Sequence, residues 1–195
     1  MKILIFILIL IFILSVYTIL KLEKNEVKYI KSKIDGEEYL VRDVQDKQAA
    51  SDLLANLKKN MFKLKDHLLS NKDKDDFKEY KEYIDQLNDR ISSVIINEST
   101  PDSTYTSYSV NKGEQIVFCL RSKYDGSLHD LNLLMYVALH ELAHVACPEY
   151  GHTDLFKKIF AFFCNQAVKI NIYEKIDFPG NPHEYCGMII SESII

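Results

Sequence analysis

His140-Glu141-Leu142-Ala143-His144 sets two imidazoles four residues apart with a carboxylate beside the first, and few folds can use that pattern. On an α-helix, positions i and i+4 lie one above the other on the same face. Both rings can therefore grip one metal ion, with Glu141 placed as general base toward an attacking water. The flanking residues Met135, Val137, Ala138, Leu139, Leu142, Ala143 and Val145 are apolar or small. Two histidines and a glutamate buried among them are unfavourable without partners, and a metal ion removes that penalty by pairing them. Asp130 is the expected N-cap, and Pro148 stops the helix, so the spacing predicts a helix from about Asp130 to Ala146.

A catalytic zinc takes three protein ligands and keeps a fourth position for water. His152, eight residues after His144, is the expected third ligand. Pro148 and Gly151 can swing the chain back, Phe156 can pack on the ring, and Thr153 can cap the helix that follows. His183, Glu149, Asp154 and Glu184 are rivals for that position, and a Cys147 thiolate stays open. Near the C-terminus, Tyr185 and His183 lie in NPHEYCG. Either can stabilise an oxyanion; the plainer reading makes Tyr185 a core-closing tyrosine. His67 and His129 carry no such pattern, and His67 is expected to face solvent.

Ile3 to Leu20 reads ILIFILILIFILSVYTIL, eighteen residues without a charge. As a helix it would extend about 27 Å, enough for the hydrocarbon core. No small-residue cleavage site precedes Lys21, so an uncleaved transmembrane anchor is expected. Lys21, Lys24, Lys28, Lys31 and Lys33 follow it, against Lys2 before it. The positive-inside rule then puts the bulk of the chain on the cytoplasmic side. For a lumenal domain, Asn97-Glu98-Ser99 would be a glycosylation acceptor.

Val27 to Val41 alternates around Asp35-Gly36, the pattern of a β-hairpin. Leu53, Leu57, Met61, Leu64 and Leu68, then Phe77, Tyr80, Ile84, Leu87 and Ile91, predict a helical hairpin with one apolar seam. Glu98 to Ser103 reads as a linker. Tyr105 to Val110 and Glu114 to Leu120 read as a second hairpin, and the edge of Gln115 to Leu120 is a candidate for strand addition by a peptide.

With 195 residues, one domain is expected. A 47% hydrophobic share supports a core, and a formal net charge of −4 argues against a nucleic-acid partner. Cys119, Cys147, Cys164 and Cys186 form no CxxC pair. They are expected as buried free thiols; two disulfides would allow three connectivities.

HELAHVACPEYGHTDLF resembles the HExxH…GHxxxF signature of the WLM and SprT-like zincin families. The chain is most similar to small anchored metallopeptidase-like proteins of giant DNA viruses, in stretches such as DGEEYLVRDVQDKQAASDLLANL, TPDSTYTSYSVNKGEQIVFCLR and PHEYCGMII. The resemblance covers nearly the whole chain. It implies an α+β, zincin-like metallopeptidase fold, with zinc at His140, His144 and His152 and Glu141 as catalytic acid/base. Residues 1–21 are then a transmembrane anchor, 22–97 a β-hairpin plus helical hairpin, and 98–195 a zincin-like catalytic domain. The expected function is a membrane-anchored zinc peptidase of a viral or virion membrane acting on a protein or peptide. The alternatives are a catalytically silent zinc-binding structural or interaction protein and a hydrolase of another amide.

Overall fold

The computed structural model describes residues 7–16 and 26–195. Two short strands open the main body, β1 (Val27–Lys31) and β2 (Glu38–Arg42), paired antiparallel through a turn at Gly36, whose φ is 76°. The long helix α1 (Lys47–Asn71) follows and buries Leu54, Leu57, Met61, Leu64 and Leu68 at spacings of three and four. A 3₁₀ turn, Asp75–Tyr80, leads into α2 (Lys81–Ile91), which buries Ile84, Leu87 and Ile91.

Next comes a three-stranded sheet ordered β3-β5-β4, made from β3 (Ile95–Glu98), β4 (Tyr108–Val110) and β5 (Gln115–Phe118). β5 runs parallel to β3 and antiparallel to β4. Helix α3 (Leu131–Ala146) packs against α1, α2 and α4 (Asp154–Lys169). This central place explains its composition: twelve of its residues are buried, Glu141 among them. The hairpin β6 (His183–Tyr185) and β7 (Met188–Ile190) closes the chain. One hydrophobic core runs from Tyr39 to Cys186 through α1, α2, α3 and α4.

Several expectations change. The α+β zincin-like class with a transmembrane helix and a helical hairpin is corrected to a mixed fold of helices and strands. Among the described residues no helix is long and apolar enough to cross a membrane. Within the expected anchor, the described residues 7–16 are helical. Residues 3–6 and 17–20 lie outside the described residues. The expected single-pass localisation rested on that anchor and is corrected with it.

β5 is the central strand, with both edges paired, so the sheet's outer edges belong to β3 and β4, and β4 is the one that lines the cleft described below. Ile95–Glu98 pairs as β3; its run of four residues gave too little alternation to stand out. Asn97 is only 7% exposed there, which closes off the glycosylation triplet. Cys119 and Cys186 form a disulfide with their Cα atoms 6.2 Å apart, while Cys147 and Cys164 are free and buried. The expectation of four free thiols failed because the returning β6–β7 hairpin brings residues 67 apart in sequence side by side. His67 is half-buried, with Nε2 3.2 Å from Gln166 Oε1.

Candidate metal centre and active-site cleft

Asp130 caps α3 by accepting from the Leu133 amide at 2.9 Å. The helix then carries His140 and His144 on one face and Glu141 beside them. It ends at Ala146, where Cys147 is already extended. The chain turns through Gly151, φ 79°, and presents His152 one residue before Thr153, which caps α4 by accepting from the Phe156 amide at 3.2 Å. His152 is thus held at a helix start rather than on a free loop.

The three Nε2 atoms of His140, His144 and His152 form a triangle with all sides 3.1 Å. Three such contacts cannot all be hydrogen bonds. Each needs one donor nitrogen and one acceptor nitrogen, so with three atoms at least one contact pairs like with like. The arrangement suits three lone pairs aimed at a common cation. Zinc–nitrogen bonds of about 2.0–2.1 Å at tetrahedral angles place the nitrogens roughly 3.3–3.4 Å apart, close to the triangle here. His183, Glu149, Asp154, Glu184 and Cys147 stand outside this cluster, which is the one ligand group of its kind among the described residues.

Phe156 fixes the rings. It stacks on His144 with centroids 4.2 Å apart and lies 5.0 Å from His140 and 4.9 Å from His152. Phe160 meets His140 edge-on at 5.2 Å. Burial pushes His140 down to about 3, helped by His144 and His152, and His144 down to about 4, helped by His152 and the Lys112 ammonium. Both rings are therefore neutral at pH 7, the form a metal needs. Burial alone pushes Glu141 up to about 7.

A cleft of about 540 Å³ opens beside the three histidines. Glu141 lines it at 5% exposure. Thr106 to Ser109, including the start of β4, make one wall, and Tyr185, Met188 and Ile190 of the β6–β7 hairpin line it as well. Tyr185 is buried, and its hydroxyl lies 2.5 Å from Ser107 Oγ, which accepts from the Cys119 amide at 3.2 Å. His183 turns elsewhere: its ring meets Phe178 edge-on at 5.7 Å, and Nε2 lies 3.3 Å from Asn181 Nδ2.

Sequence reasoning missed Ser107, Lys112 and His129. The His129 ring is 5.2 Å from that of Tyr185, and its Nε2 accepts from the Cys186 amide at 3.4 Å. These contacts join segments far apart in sequence, and no local pattern announces them.

No family model matches the chain. It is 47% identical over 180 residues to "Uncharacterized protein R325" of Acanthamoeba polyphaga mimivirus, spanning 92% of this chain and 90% of that protein. It is 39% identical over 71 residues to "Uncharacterized protein 136R" of Invertebrate iridescent virus 6, across 35% of this chain and 39% of the relative. It is 38% identical over 84 residues to "Uncharacterized protein 042R" of Invertebrate iridescent virus 3, across 42% and 50%. Among solved structures, Wss1 from Saccharomyces cerevisiae overlaps 48% of this chain and 75% of its own at 22% identity and a TM-score of 0.37, too slight a likeness to assign a fold. The long match at 47% identity settles kinship at the level of the whole chain: this protein belongs to the family of the mimivirus protein R325.

Proposed function

We propose that the chain is a zinc-dependent peptidase of the WLM and SprT-like zincin kind, acting on a protein or peptide substrate. The observation that carries the reading is the 3.1 Å triangle of histidine nitrogens beside a buried Glu141 at a cleft. Three imidazoles with no fourth protein ligand among the described residues match the donor set of a catalytic zinc. Bound there, zinc supplies Lewis acidity and lowers the pKa of water in its open position toward neutrality.

Glu141 takes the proton of the attacking water and passes it to the leaving amine. Its raised pKa, about 7 without a cation nearby, falls once a positive charge sits beside it. Tyr185 lines the same cleft. Ser107 Oγ already accepts from the Cys119 amide. Its own proton can then go to the Tyr185 oxygen, which frees the phenolic O–H to donate into the cleft toward a developing oxyanion. An extended substrate aligns along the free edge of β4, where backbone hydrogen bonds hold it in register.

The test is metal content of the full chain by mass spectrometry, beside His144→Ala and Glu141→Gln. About one zinc per chain, lost in His144→Ala, is expected. Glu141→Gln should keep the zinc and lose hydrolysis of a peptide library. Undiminished turnover in that variant would sink the mechanism.

A further inference from the structure

The last carbonyls of a helix have no partners within it, and on α3 those carbonyls adjoin the second histidine. Three side chains from elsewhere in the fold satisfy them. Arg90 Nη1 donates to Val145 O at 2.6 Å, and Gln86 Nε2 donates to Ala146 O at 2.8 Å, both from α2. Lys112, in the turn between β4 and β5, reaches further. Its Nζ donates to Cys147 O at 2.8 Å, to Glu149 O at 3.0 Å and to His144 O at 3.4 Å. An ammonium has three donors, and here all three meet carbonyls at or between His144 and His152.

The turn that delivers Lys112 is built for that approach. Asn111 and Lys112 are left-handed, with φ 48° and 56°, and Gly113 follows at φ 116°. A Cβ on Gly113 would come within 2.9 Å of Val145 Cγ1, so the turn is seated directly against the end of α3. The left-handed conformation is unfavourable for lysine and persists only where its surroundings impose it. Tyr150 covers the outer side, its ring centroid 4.4 Å from Nζ.

We infer that Lys112 is a positioning residue for the metal centre: it is the post around which residues 145–151 wrap, and it sets where His152 meets His140 and His144. This rests on the zinc reading above. Charge and position predict opposite effects. An ammonium near a dication repels it, so by Coulomb's law alone its removal would tighten zinc binding. If the ammonium instead fixes the path of the loop, its removal loosens the third ligand and weakens binding.

The experiment measures zinc affinity and release rate on the full chain by competition with a chromophoric chelator, in wild type, Lys112→Met and Lys112→Arg. Melting of each metal-free form is recorded alongside. Lys112→Met should bind zinc about tenfold or more weakly and release it faster, the usual scale for groups that orient metal ligands. Lys112→Arg should also weaken binding despite its charge, because a planar guanidinium cannot set one nitrogen against three carbonyls; it serves as the test should Lys112→Met fail to fold. A merely structural role would lower the metal-free melting temperature and leave the folded protein's affinity unchanged. Affinity equal to or above wild type in a folded variant overturns the inference alone. A wild-type chain that takes up no zinc overturns the peptidase reading and this role together.

Discussion

Glu141→Gln should make the metal-free protein more stable, and by an amount that depends on pH. Glu141 has a pKa of about 7 in the fold, against 4.5 for the free side chain, and burial is the cause. A carboxyl with a raised folded pKa holds its proton more tightly folded than unfolded, so stability falls as pH rises between the two values. The gap from 4.5 to about 7 corresponds to about 3 kcal/mol. Below pH 4.5 the wild-type side chain is neutral in both states, and glutamine mimics it. Above pH 7 the wild-type chain carries a buried carboxylate that the variant lacks. His140 and His144 titrate in both proteins, losing stability as pH falls through 6.5 toward their depressed values, and cancel in the difference. The assay is urea denaturation with a chelator present, at pH 4.5, 6 and 8. The variant's advantage should grow from near zero to about 3 kcal/mol, and zinc should shrink it by pairing the wild-type carboxylate. An advantage independent of pH, or a variant less stable at pH 8, would refute the account of a buried, uncompensated base.

Glu98 is buried and bonds Arg121 Nε at 2.8 Å and the Arg42 amide at 2.7 Å. Glu98→Leu should therefore destabilise by about 3–5 kcal/mol, read from urea midpoints, and adding Arg121→Met should recover much of it. Reducing Cys119–Cys186, which links positions 67 apart, should lower stability by about 4 kcal/mol on the chain-entropy account. Cys119→Ser with Cys186→Ser should reproduce the effect without reductant. Tyr185→Phe should lower kcat about a hundredfold, the scale for a lost oxyanion donor, with zinc affinity and KM nearly unchanged. An equal loss in zinc affinity would make Tyr185 a structural residue.

The helices were legible because their cause is local. Asp130, the apolar run to Ala146 and Pro148 define α3 by cap, period and stop, and Thr153 does the same for α4. The i, i+4 histidines follow from the helix itself. His152 was within reach because Gly151 and Thr153 mark a turn and a cap, although nothing local excluded Glu149 or Asp154. Long-range pairing was not legible. The parallel partnership of β3 with β5 is set by packing of the whole sheet, and so is the meeting of Cys119 with Cys186. Lys112 lies in an Asn-Lys-Gly run, which locally marks nothing more than a turn. Its role depends on where that turn lands, on the end of a helix more than thirty residues away. The expected N-terminal anchor rested on composition alone, and among the described residues no helix is long and apolar enough to cross a membrane.

The number of protein ligands bears on whether a metal here is structural or catalytic. Structural zinc sites are closed by four protein ligands, and catalytic ones leave a position open. Among the described residues the cluster here holds three. Cys147, the thiol nearest in sequence, is buried outside it, and Glu184 is occupied by the Gly187 amide. His152, exposed, is also a cleft-lining residue, and so are Glu141 and Tyr185. A purely structural site has no use for a buried carboxyl whose ionisation weakens the fold, since replacing it with an apolar residue would remove that burden. On the peptidase reading proposed above, the stability gained in Glu141→Gln would measure what the fold gives up to keep a base there.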